Sequence, residues 1–353
     1  MAGVTNWPFR AICRRYGAGL FVSEMITARG FVEENAKTHR LTEFGPGETP
    51  RSLQLYGTEP GSLAEATRRL VGEGRVDHLD LNFGCPVRKV TVKGGGAAIP
   101  LKPRLLARLV RAVVGCAGAV PVTMKFRLGI DEDHFTYRDA GRVGEEEGCA
   151  GVALHARTAE QLYGGEARWE FIADLKSQLR IPVLGNGDIR EGRDGLRMMR
   201  ETGCDGVVIG RGCLGRPWLF RDLADVFEGR EPAEPPCFGE VYDTLLDHAR
   251  LLVRWLGEPH GVREMRKHAA WYTKAFPGGA ALRAKLMTAS AFADLERLAG
   301  SIDRGTPFPP AGLRLRRAKG SAPQKVHLPF GYLDRLDDDT PPGPEAENPA
   351  DGG

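Results

Sequence analysis

The sequence predicts an α/β fold, most specifically a (β/α)8 TIM barrel, followed by a helical segment. Short apolar or alternating segments recur over residues 1–227, and most are followed by a longer segment with helical periodicity. This alternation is typical of parallel strands joined by right-handed helical crossovers. Length agrees, because such a barrel needs roughly 250 residues and the chain has 353.

Seven strand segments are recognisable from their pattern, with helix segments between them. The strands are predicted at 19–25, 52–56, 79–83, 122–128, 152–155, 183–185 and 206–209. The helices are predicted at 62–72, 103–114, 137–148, 169–178 and 193–202. Ser62 and Asp194 suit N-terminal caps, and Pro103 suits a first helical turn.

A closed barrel would need one strand more than the pattern contains. Residues 1–5 resemble a loop that leaves a strand. We therefore expect the first strand to precede Met1, through a truncated or misplaced start, and the native chain to extend upstream. The second-ranked alternative is an open seven-stranded sheet, which needs no further strand.

The domain organisation follows from changes in composition along the chain. The barrel is predicted to occupy residues 1–227, and the proline-rich residues 228–240 are predicted to be a linker. Residues 241–303 have a helical pattern without strand signals, which predicts a helical domain. Residues 304–353 are rich in proline, glycine and charge and are predicted to be a disordered tail.

Composition excludes several classes of protein. The net charge of +3 is too small to indicate nucleic-acid binding by itself. The seven cysteines form no Cys-x-x-Cys pair, which argues against a disulfide framework and a thiolate metal site. No apolar run approaches the ~20 residues of a membrane span, and no leader pattern opens the chain. We expect a cytoplasmic protein with no metal and no membrane partner.

Each predicted strand ends in a polar or charged side chain, whereas the strand bodies are apolar. In a parallel barrel these ends converge on one face. A converging polar ring is typical of an active site. The residues concerned are Glu24, Gln54, Asn82 with Cys85, Lys125 with Arg127, His155 with Arg157, Asn186 with Asp188, and Arg211.

Two glycine pairs suggest where a phosphate would bind. Gly185 and Gly187 lie where the sixth strand segment ends, and Gly210 and Gly212 follow the seventh. Glycine lets the backbone approach an anion closely, and the loops after the last two strands are the usual phosphate site of this fold. Ordinary turn glycines are the alternative. The run 94–96 lacks the Gly-Lys-Ser/Thr ending of a nucleotide loop, so we expect a mobile segment beside Cys85.

Cys85 is the candidate catalytic residue. It lies on a Gly-Cys-Pro turn at the end of the alternating segment 78–83. Taken alone, this segment leaves a small buried thiol and a catalytic thiol as equal alternatives.

Seven short motifs resemble those of the tRNA-dihydrouridine synthases. The resemblance runs in order through residues 1–300, and the Asn-x-Gly-Cys-Pro segment is its most specific part. The motifs are Met-Ala-Gly-Val-Thr-Asn (1–6), Gln-Leu-Tyr-Gly (54–57), Leu-Asn-Phe-Gly-Cys-Pro (81–86), Met-Lys-Phe-Arg-Leu-Gly (124–129), His-Ala-Arg-Thr (155–158), Gly-Asn-Gly-Asp-Ile (185–189) and Ile-Gly-Arg-Gly (209–212). Family members have a strand and a proline before the first of these motifs.

The resemblance implies an FMN enzyme that takes hydride from NADPH and reduces the C5–C6 double bond of uridines in tRNA. Cys85 would be the general acid that protonates C5, and Lys125 would stabilise negative charge on the reduced flavin. The residues implied to bind the cofactor are Met1, Ala2, Gln54, Lys125, His155, Asn186, Gly187, Asp188, Gly210 and Arg211. Those implied to read the uracil edge are Asn82, Arg127 and Tyr163.

Structural alternatives remain open for several of these residues. Lys125 and Arg127 suit buried ion pairs with Glu24 or Asp188. Tyr163 suits the packing of a lid.

The helical segment carries the charge that tRNA would need. Between residues 263 and 285 there are six basic side chains and one acidic side chain. The candidates for contact with tRNA phosphates are Arg263, Arg266, Lys267 and Lys274. Trp271 and Tyr272 suit either base stacking or the core of a helix pair.

Two rival functions belong to other classes. One is an FMN-dependent barrel enzyme that acts on a small pyrimidine or a related molecule. The other is an RNA-binding protein without catalytic activity on the same scaffold.

Overall fold

The computed structural model describes residues 1–17, 19–317 and 322–347. Seven parallel strands form one sheet in chain order. They are β1 (Val22–Thr27), β2 (Ser52–Tyr56), β3 (His78–Phe83), β4 (Val122–Arg127), β5 (Gly151–His155), β6 (Val183–Asn186) and β7 (Gly206–Val208). The predicted parallel α/β architecture is confirmed.

The helices pack beside this sheet and continue beyond it. They are α1 (Trp7–Arg14), α2 (Ala28–Val32), α3 (Ala36–Leu41), α4 (Pro60–Gly72), α5 (Arg88–Thr91), α6 (Pro103–Ala117), α7 (Tyr137–Glu146), α8 (Glu170–Gln178), α9 (Gly192–Thr202), α10 (Leu219–Phe227), α11 (Phe238–Leu256), α12 (Glu258–Tyr272), α13 (Gly279–Leu286) and α14 (Phe292–Leu298). A 3-10 helix, Gly96–Leu101, precedes α6. In the part of the chain that the structure describes, none of the helices combines the length and apolarity that crossing a bilayer requires.

Two helix starts differ from the predicted ones. Helix α4 begins at Pro60, and its cap is Glu59, whose carboxylate accepts from the backbone N–H of Gly61 at 2.9 Å and of Ser62 at 2.5 Å. Asp194 lies inside the first turn of α9 and accepts from the N–H of Glu191 at 3.0 Å. In both cases a carboxylate accepts from otherwise free backbone amides at the start of the helix.

The sheet places strand ends side by side because the register between neighbours is regular. Leu79, Leu81, Met124 and Phe126 are buried between the sheet and its helices, which fixes the face that each neighbouring polar residue occupies. The register pairs Gln54 with Asp80, Asn82 with Lys125, and Arg127 with His155.

The sheet is curled but not closed, so the predicted eight-stranded barrel is not confirmed. Within residues 1–17, 19–317 and 322–347 no pairing joins β7 to β1. Strand β7 has only three residues, so its free edge offers few backbone N–H and C=O groups for pairing with another strand. The second-ranked alternative, an open sheet of seven strands, describes this arrangement better. The expectation of an upstream strand stays a prediction.

The C-terminal helices form without making a separate helical domain, which corrects that prediction. Helices α11 to α14 share an apolar cluster that includes Trp218 from the α/β unit. The ring of Phe9, in α1, lies 5.8 Å from the ring of His248 and 5.7 Å from that of His268. Arg15 forms an ion pair with Asp247 at 2.6 Å. The helices therefore continue the packing of α1.

The tail differs from the predicted disorder wherever the structure describes it. Phe308 and Tyr332 are buried, and Glu347 is 1% exposed. Residues 304–317 find partners on the C-terminal helices and on the α/β unit, and residues 322–347 find partners on the α/β unit. These contacts offset the entropy of ordering the chain. The prediction for residues 318–321 and 348–353 lies outside the described residues.

Candidate active site

A chain of hydrogen bonds crosses β4, β3 and β2, from Thr123 near the start of β4 to Asn82 near the end of β3. Thr123 Oγ1 donates to Asp80 at 2.6 Å, and Gln54 Nε2 donates to the other oxygen of Asp80 at 2.7 Å. Asn82 Nδ2 then donates to Gln54 Oε1 at 2.8 Å. Because each member is held by the next, the amides of Gln54 and Asn82 have fixed orientations.

Asn82 also shapes the turn that carries the thiol. Its Oδ1 accepts from the backbone N–H of Gly84 at 3.0 Å and of Cys85 at 3.1 Å. An asparagine that bonds to amides two and three residues ahead ends a strand in a defined turn. The hydrogen-bond chain therefore extends from Asp80 to the backbone of Cys85.

The Cys85 side chain is half-buried against a small apolar cluster of Met25, Tyr56 and Val90. Burial raises the pKa of the Cys85 thiol, although the N–H of Val87 and the charge of Arg127 oppose this effect. A thiol with a raised pKa remains protonated near neutral pH. Cys85 is thus suited to donate a proton and poorly suited to be a nucleophile.

Lys125 extends from β4 beside Asn82. Burial lowers its pKa to about 8, with a further lowering by Arg127 and a partial restoration by Asp80. An ammonium group in this setting gains stability from any added negative charge. The predicted role of Lys125 beside a reduced, anionic ring is compatible with this environment.

Arg127 is buried and joins two loops rather than pairing with a carboxylate. Its Nε donates to the carbonyl of Gly84 at 2.9 Å, and its guanidinium also donates to the carbonyls of Thr158 at 3.0 Å and Leu162 at 2.8 Å. Burial lowers the pKa of Arg127 to about 10. The positive charge is retained near neutral pH and faces the ring of Tyr163 at 5.4 Å.

Arg157 and Asp188 form the buried ion pair of this site. The guanidinium donates to the two carboxylate oxygens at 2.9 and 2.7 Å, and the N–H of Ala167 adds a bond of 2.7 Å. Burial alone would raise the pKa of Asp188, but these hydrogen bonds lower it. Asp188 has a φ of 57°, so the ion pair holds an unusual backbone conformation. Its carboxylate is engaged by protein groups.

His155 lies among four cationic side chains. Burial lowers the pKa of His155 well below its ordinary value, and the nearby positive charges lower it further. The imidazole is therefore neutral, and it can accept or donate one hydrogen bond without adding charge. The cations concerned are Arg127, Lys125, Arg157 and Arg211.

The loops after β6 and β7, which are predicted to bind the cofactor phosphate, offer open space at Gly210 and positive charge at Arg211. Gly187 has a φ of 132°, and a Cβ there would lie 2.5 Å from Ala167 Cβ. A Cβ on Gly210 would meet nothing within 4 Å. Arg211 is half-buried, lies 4.6 Å from the ring centroid of Tyr163, and makes no ion pair among the described residues. Asn186 is engaged with the carbonyl of Val208 at 2.7 Å.

This set of side chains fits a phosphate-bearing, anionic ring cofactor. Four cations converge, whereas the carboxylates close to them are Asp80 and Asp188. Asp188 already pairs with Arg157 at 2.7 Å. The remaining positive charge and the open space at Gly210 are the features that an anionic cofactor requires.

The N-terminal residues lie at the same edge. The Met1 ammonium donates to Thr5 Oγ1 at 2.8 Å, and burial lowers its pKa. The N–H of Gly3 donates to Glu24, and burial raises the pKa of that carboxyl. Ala2 is exposed.

The basic residues predicted to contact tRNA are differently placed. Arg263 is exposed, whereas Arg266 donates to the carbonyl of Ala289 at 2.7 Å. Lys267 pairs with Glu264, and Lys274 donates to the carbonyl of Arg316. Arg263 is therefore the member of the set whose charge is most accessible to a partner.

The two neighbouring aromatics are packed. Tyr272 is 1% exposed, and its hydroxyl lies 3.3 Å from His248 Nδ1. Trp271 is half-buried against the main core and its ring meets that of His268 edge-on. Tyr272 therefore belongs to the core of the helix pair, because a buried ring has no accessible face on which a base could stack.

Sequence reasoning missed Asp80, which is the centre of the hydrogen-bond chain. The predicted functional positions are those at the strand ends, whereas Asp80 lies within the body of β3. A usable signal was present, because residues two apart in a strand share a face and Asp80 therefore shares the face of Asn82.

The fold is a parallel α/β sheet, and the candidate active site lies at its carboxyl edge. The family model described as dihydrouridine synthase (Dus) matches residues 1–301. The chain belongs to this family, as the motifs predicted, and is a flavin-dependent oxidoreductase.

Named relatives from three bacteria align with most of this chain. A probable tRNA-dihydrouridine synthase of Mycobacterium tuberculosis (strain CDC 1551 / Oshkosh) is 51% identical over 348 residues, which covers 96% of this chain and 89% of that protein. One from Mycobacterium leprae (strain TN) is 48% identical over 371 residues, covering 97% and 96%. The tRNA-dihydrouridine synthase B of Xanthomonas axonopodis pv. citri (strain 306) is 44% identical over 285 residues, covering 80% and 85%.

Proposed function

We propose that the protein reduces the C5–C6 double bond of specific uridines in tRNA to 5,6-dihydrouridine, with FMN as cofactor and NADPH as reductant. The observation that carries this proposal is the placement of Cys85 on a turn held by Asn82 and Arg127 at the edge of a cation-rich site, where burial raises the pKa of its thiol. The names of the relatives support tRNA as substrate. Work on tRNA suits a cytoplasmic protein.

Bound FMN would supply a hydride to C6 of the uracil ring, having received it from NADPH. The chain's own groups would hold the ring and balance its charge. Lys125 would lie against the anionic edge of the reduced ring, since its depressed pKa indicates a site that favours added negative charge. Gln54, whose amide is fixed by Asp80 and Asn82, would orient the ring together with Met1 and Ala2.

The phosphate end of the cofactor would lie near Gly210 and Arg211. The open space beside Gly210 and the accessible charge of Arg211 support this assignment. His155, Asn186 and Gly187 would complete the pocket. Asp188 would contribute by holding Arg157 in place rather than by direct contact with an anion, because like charges repel.

Cys85 would complete the reduction by transferring a proton from its sulfur to C5. Hydride at C6 and a proton at C5 account for both hydrogens that the product gains, and the thiolate would then recover a proton from water. The raised pKa of Cys85 supports this direction of transfer, because the thiol is protonated when substrate arrives.

The uracil edge would be read by Asn82, Arg127 and Tyr163. Tyr163 is 39% exposed and its ring lies near two guanidiniums, which supports a stacking surface that is already fixed. Arg127 supports the geometry of the pocket through its three carbonyl contacts.

A uridine must leave its stack to enter this site, at a cost of a few kcal/mol. Contacts outside the site would offset that cost. Arg263 is the strongest candidate, and Arg266, Lys267 and Lys274 would contribute positive potential despite their partners within the protein.

The direct test incubates the purified FMN-loaded protein with NADPH and with tRNA that lacks dihydrouridine. Nucleoside mass spectrometry should then detect dihydrouridine in the tRNA, and parallel reactions with free uridine or uracil should yield little. Reduction of the free pyrimidine at an equal rate would contradict the tRNA proposal and favour a small-molecule enzyme. Failure of the purified protein to hold flavin would favour an RNA-binding protein without activity.

A further inference from the structure

The C-terminal residues 322–347, here named the strap, lie across loops that follow four strands. The strap lies outside residues 1–301, which the family model matches. Near the start of the strap, the N–H of Gln324 donates to the carbonyl of Glu160 at 2.9 Å, in the loop after β5. From there it reaches the loops after β3, β2 and β1.

The loop after β3 is folded back on Cys85. The N–H of Ala97 donates to the carbonyl of Cys85 at 3.0 Å. A Cβ on Gly96, whose φ is 55°, would lie 2.5 Å from that carbonyl oxygen and 3.1 Å from Cys85 Cβ. Only glycine permits this approach, so the position of residues 94–98 and the position of the thiol are directly linked.

The other side of the same glycine run touches the strap. A Cβ on Gly94 would meet the ring of Tyr332 at 3.0 Å and Pro342 at 3.1 Å. The hydroxyl of Tyr332 lies 3.3 Å from the carbonyl of Gly94 and 3.2 Å from that of Ala98, and can donate to either. The glycine run is therefore enclosed between Cys85 on one side and Tyr332 on the other.

Charged contacts fix the part of the strap that follows Tyr332. Lys102 pairs with Asp338 at 3.2 Å and its ammonium lies 4.7 Å from the Tyr332 ring centroid. Arg108 pairs with Asp339 at 3.0 Å. Lys102 is buried, so its ion pair is less screened than a surface pair.

Glu347 holds the far end of the strap at the edge of β1 and β2. Its carboxylate accepts from the backbone N–H of Thr58 at 2.5 Å, of Glu59 at 2.8 Å and of Arg29 at 3.2 Å. The hydroxyl of Tyr56 donates to the carbonyl of Ala346 at 3.0 Å. Tyr56 also belongs to the cluster that packs against Cys85, so this end of the strap supports the same thiol.

We propose that the strap is a positioning element for Cys85 and that Tyr332 is its central positioning residue. A loop with three consecutive glycines, 94–96, has many accessible conformations, and ordering it costs free energy. The strap supplies contacts that restrict this loop to the conformation in which it packs on Cys85. The catalytic consequence rests on the proposed function of Cys85 as proton donor.

The test compares Tyr332→Phe and Tyr332→Ala with two controls in the full-length protein. Tyr242→Phe removes a buried hydroxyl that donates to the carbonyl of Leu295 at 2.7 Å, far along the chain from the loop. Phe330→Ala removes a fully exposed aromatic ring two residues from Tyr332. Tyr332→Phe deletes the hydroxyl alone and keeps the ring, so it should fold. The test can therefore be carried out with this variant even if Tyr332→Ala does not fold.

Two measurements do not depend on the enzymatic proposal. Hydrogen exchange of the amides of residues 85–98 should accelerate about fivefold in Tyr332→Phe, the effect of losing one hydrogen bond, and more in Tyr332→Ala. Alkylation of Cys85 by iodoacetamide, followed by peptide mass spectrometry with Cys116 as internal reference, should accelerate similarly. Both controls should match the unmodified protein. Unchanged exchange and alkylation in the Tyr332 variants would overturn the proposal.

A third measurement tests the catalytic consequence. Oxidation of the NADPH-reduced enzyme by tRNA should slow about fivefold in Tyr332→Phe, in line with the loss of one hydrogen bond, while the rate of flavin reduction by NADPH should stay unchanged. A merely structural role would lower both rates through loss of folded protein. If tRNA does not oxidise the unmodified enzyme, the proposed function fails, and the exchange and alkylation results still decide whether the strap holds the loop.

Discussion

Arg127 Nε donates a hydrogen bond to the carbonyl oxygen of Gly84 at 2.9 Å. The end of β4 therefore holds the residue that immediately precedes Cys85 in the turn after β3. This contact links the cation that faces Tyr163 to the backbone that places the thiol. The proposed proton donor and the proposed substrate pocket are consequently parts of one connected arrangement.

Arg127→Lys should lower both stability and activity. A lysine ammonium cannot reproduce the planar set of donors that reaches the carbonyls of Gly84, Thr158 and Leu162. We expect a loss of about 1–3 kcal/mol in the free energy of unfolding, measured with urea, because buried carbonyls lose their donors. Arg138→Lys, at a site that is 61% exposed, is the matched control and should change stability little. Equal stability of the two variants would contradict the structural role of Arg127.

Lys125 should make the flavin-free protein gain stability at alkaline pH. Its folded pKa of about 8 is below its ordinary value of 10.5, so the native state disfavours the charged form. The unfolded state binds more protons between these values, and stability therefore rises with pH across this window. Lys125→Met lacks this titration. Near pH 7 the free energy of unfolding should be larger for Lys125→Met than for the unmodified protein. This difference should shrink by about 1–3 kcal/mol by pH 10.5. A difference that does not change with pH would contradict the assigned environment.

Asp188→Asn should destabilise the protein by about 3 kcal/mol, because it leaves the charge of buried Arg157 without its partner. Asp188 has a lowered pKa, so its contribution is present at neutral pH and lost as the pH falls through the folded pKa. Thermal unfolding at pH 7 and at pH 3 should show the gap between variant and unmodified protein closing in acid. Asp139→Asn, on the exposed face of α7, is the control. A gap of the same size at both pH values would argue against the ion pair.

Arg263→Ala should weaken tRNA binding while flavin remains bound. An exposed guanidinium that contacts a phosphate releases counterions, so its removal should reduce the slope of log affinity against log salt by roughly 0.7–0.9. Filter binding at several salt concentrations measures this slope. Arg180→Ala, an exposed arginine between α8 and β6, is the control. An unchanged slope would remove Arg263 from the tRNA-binding surface.

Local periodicity predicted the strands well, because alternation reports directly on which face is buried. The segment predicted at 122–128 corresponds to Val122–Arg127, and that predicted at 152–155 to Gly151–His155. Strand ends then identified Gln54, Asn82, Lys125 and Arg127, which the structure brings to one edge. Register follows from the pleat and the buried face, so these positions could be inferred without coordinates.

Long-range packing could not be predicted in the same way. The strap has a composition typical of disorder, and its order depends on partners such as Gly94 and the amides of Thr58 and Glu59, which lie far away in sequence. Two other features also depend on contacts between distant parts of the chain, which no local pattern encodes. They are the open edge of the sheet and the packing of α11 and α12 against α1.

The most direct test of the account is the dihydrouridine content of tRNA after reaction with Cys85→Ala and with a matched cysteine variant. Cys116→Ala, half-buried near the end of α6, is the control. The account predicts that Cys85→Ala binds flavin and is reduced by NADPH at the normal rate but forms dihydrouridine at least about a hundredfold more slowly, the typical contribution of a general acid, while Cys116→Ala behaves as the unmodified protein. Equal rates of dihydrouridine formation in the two variants would contradict the assignment of Cys85 as the proton donor.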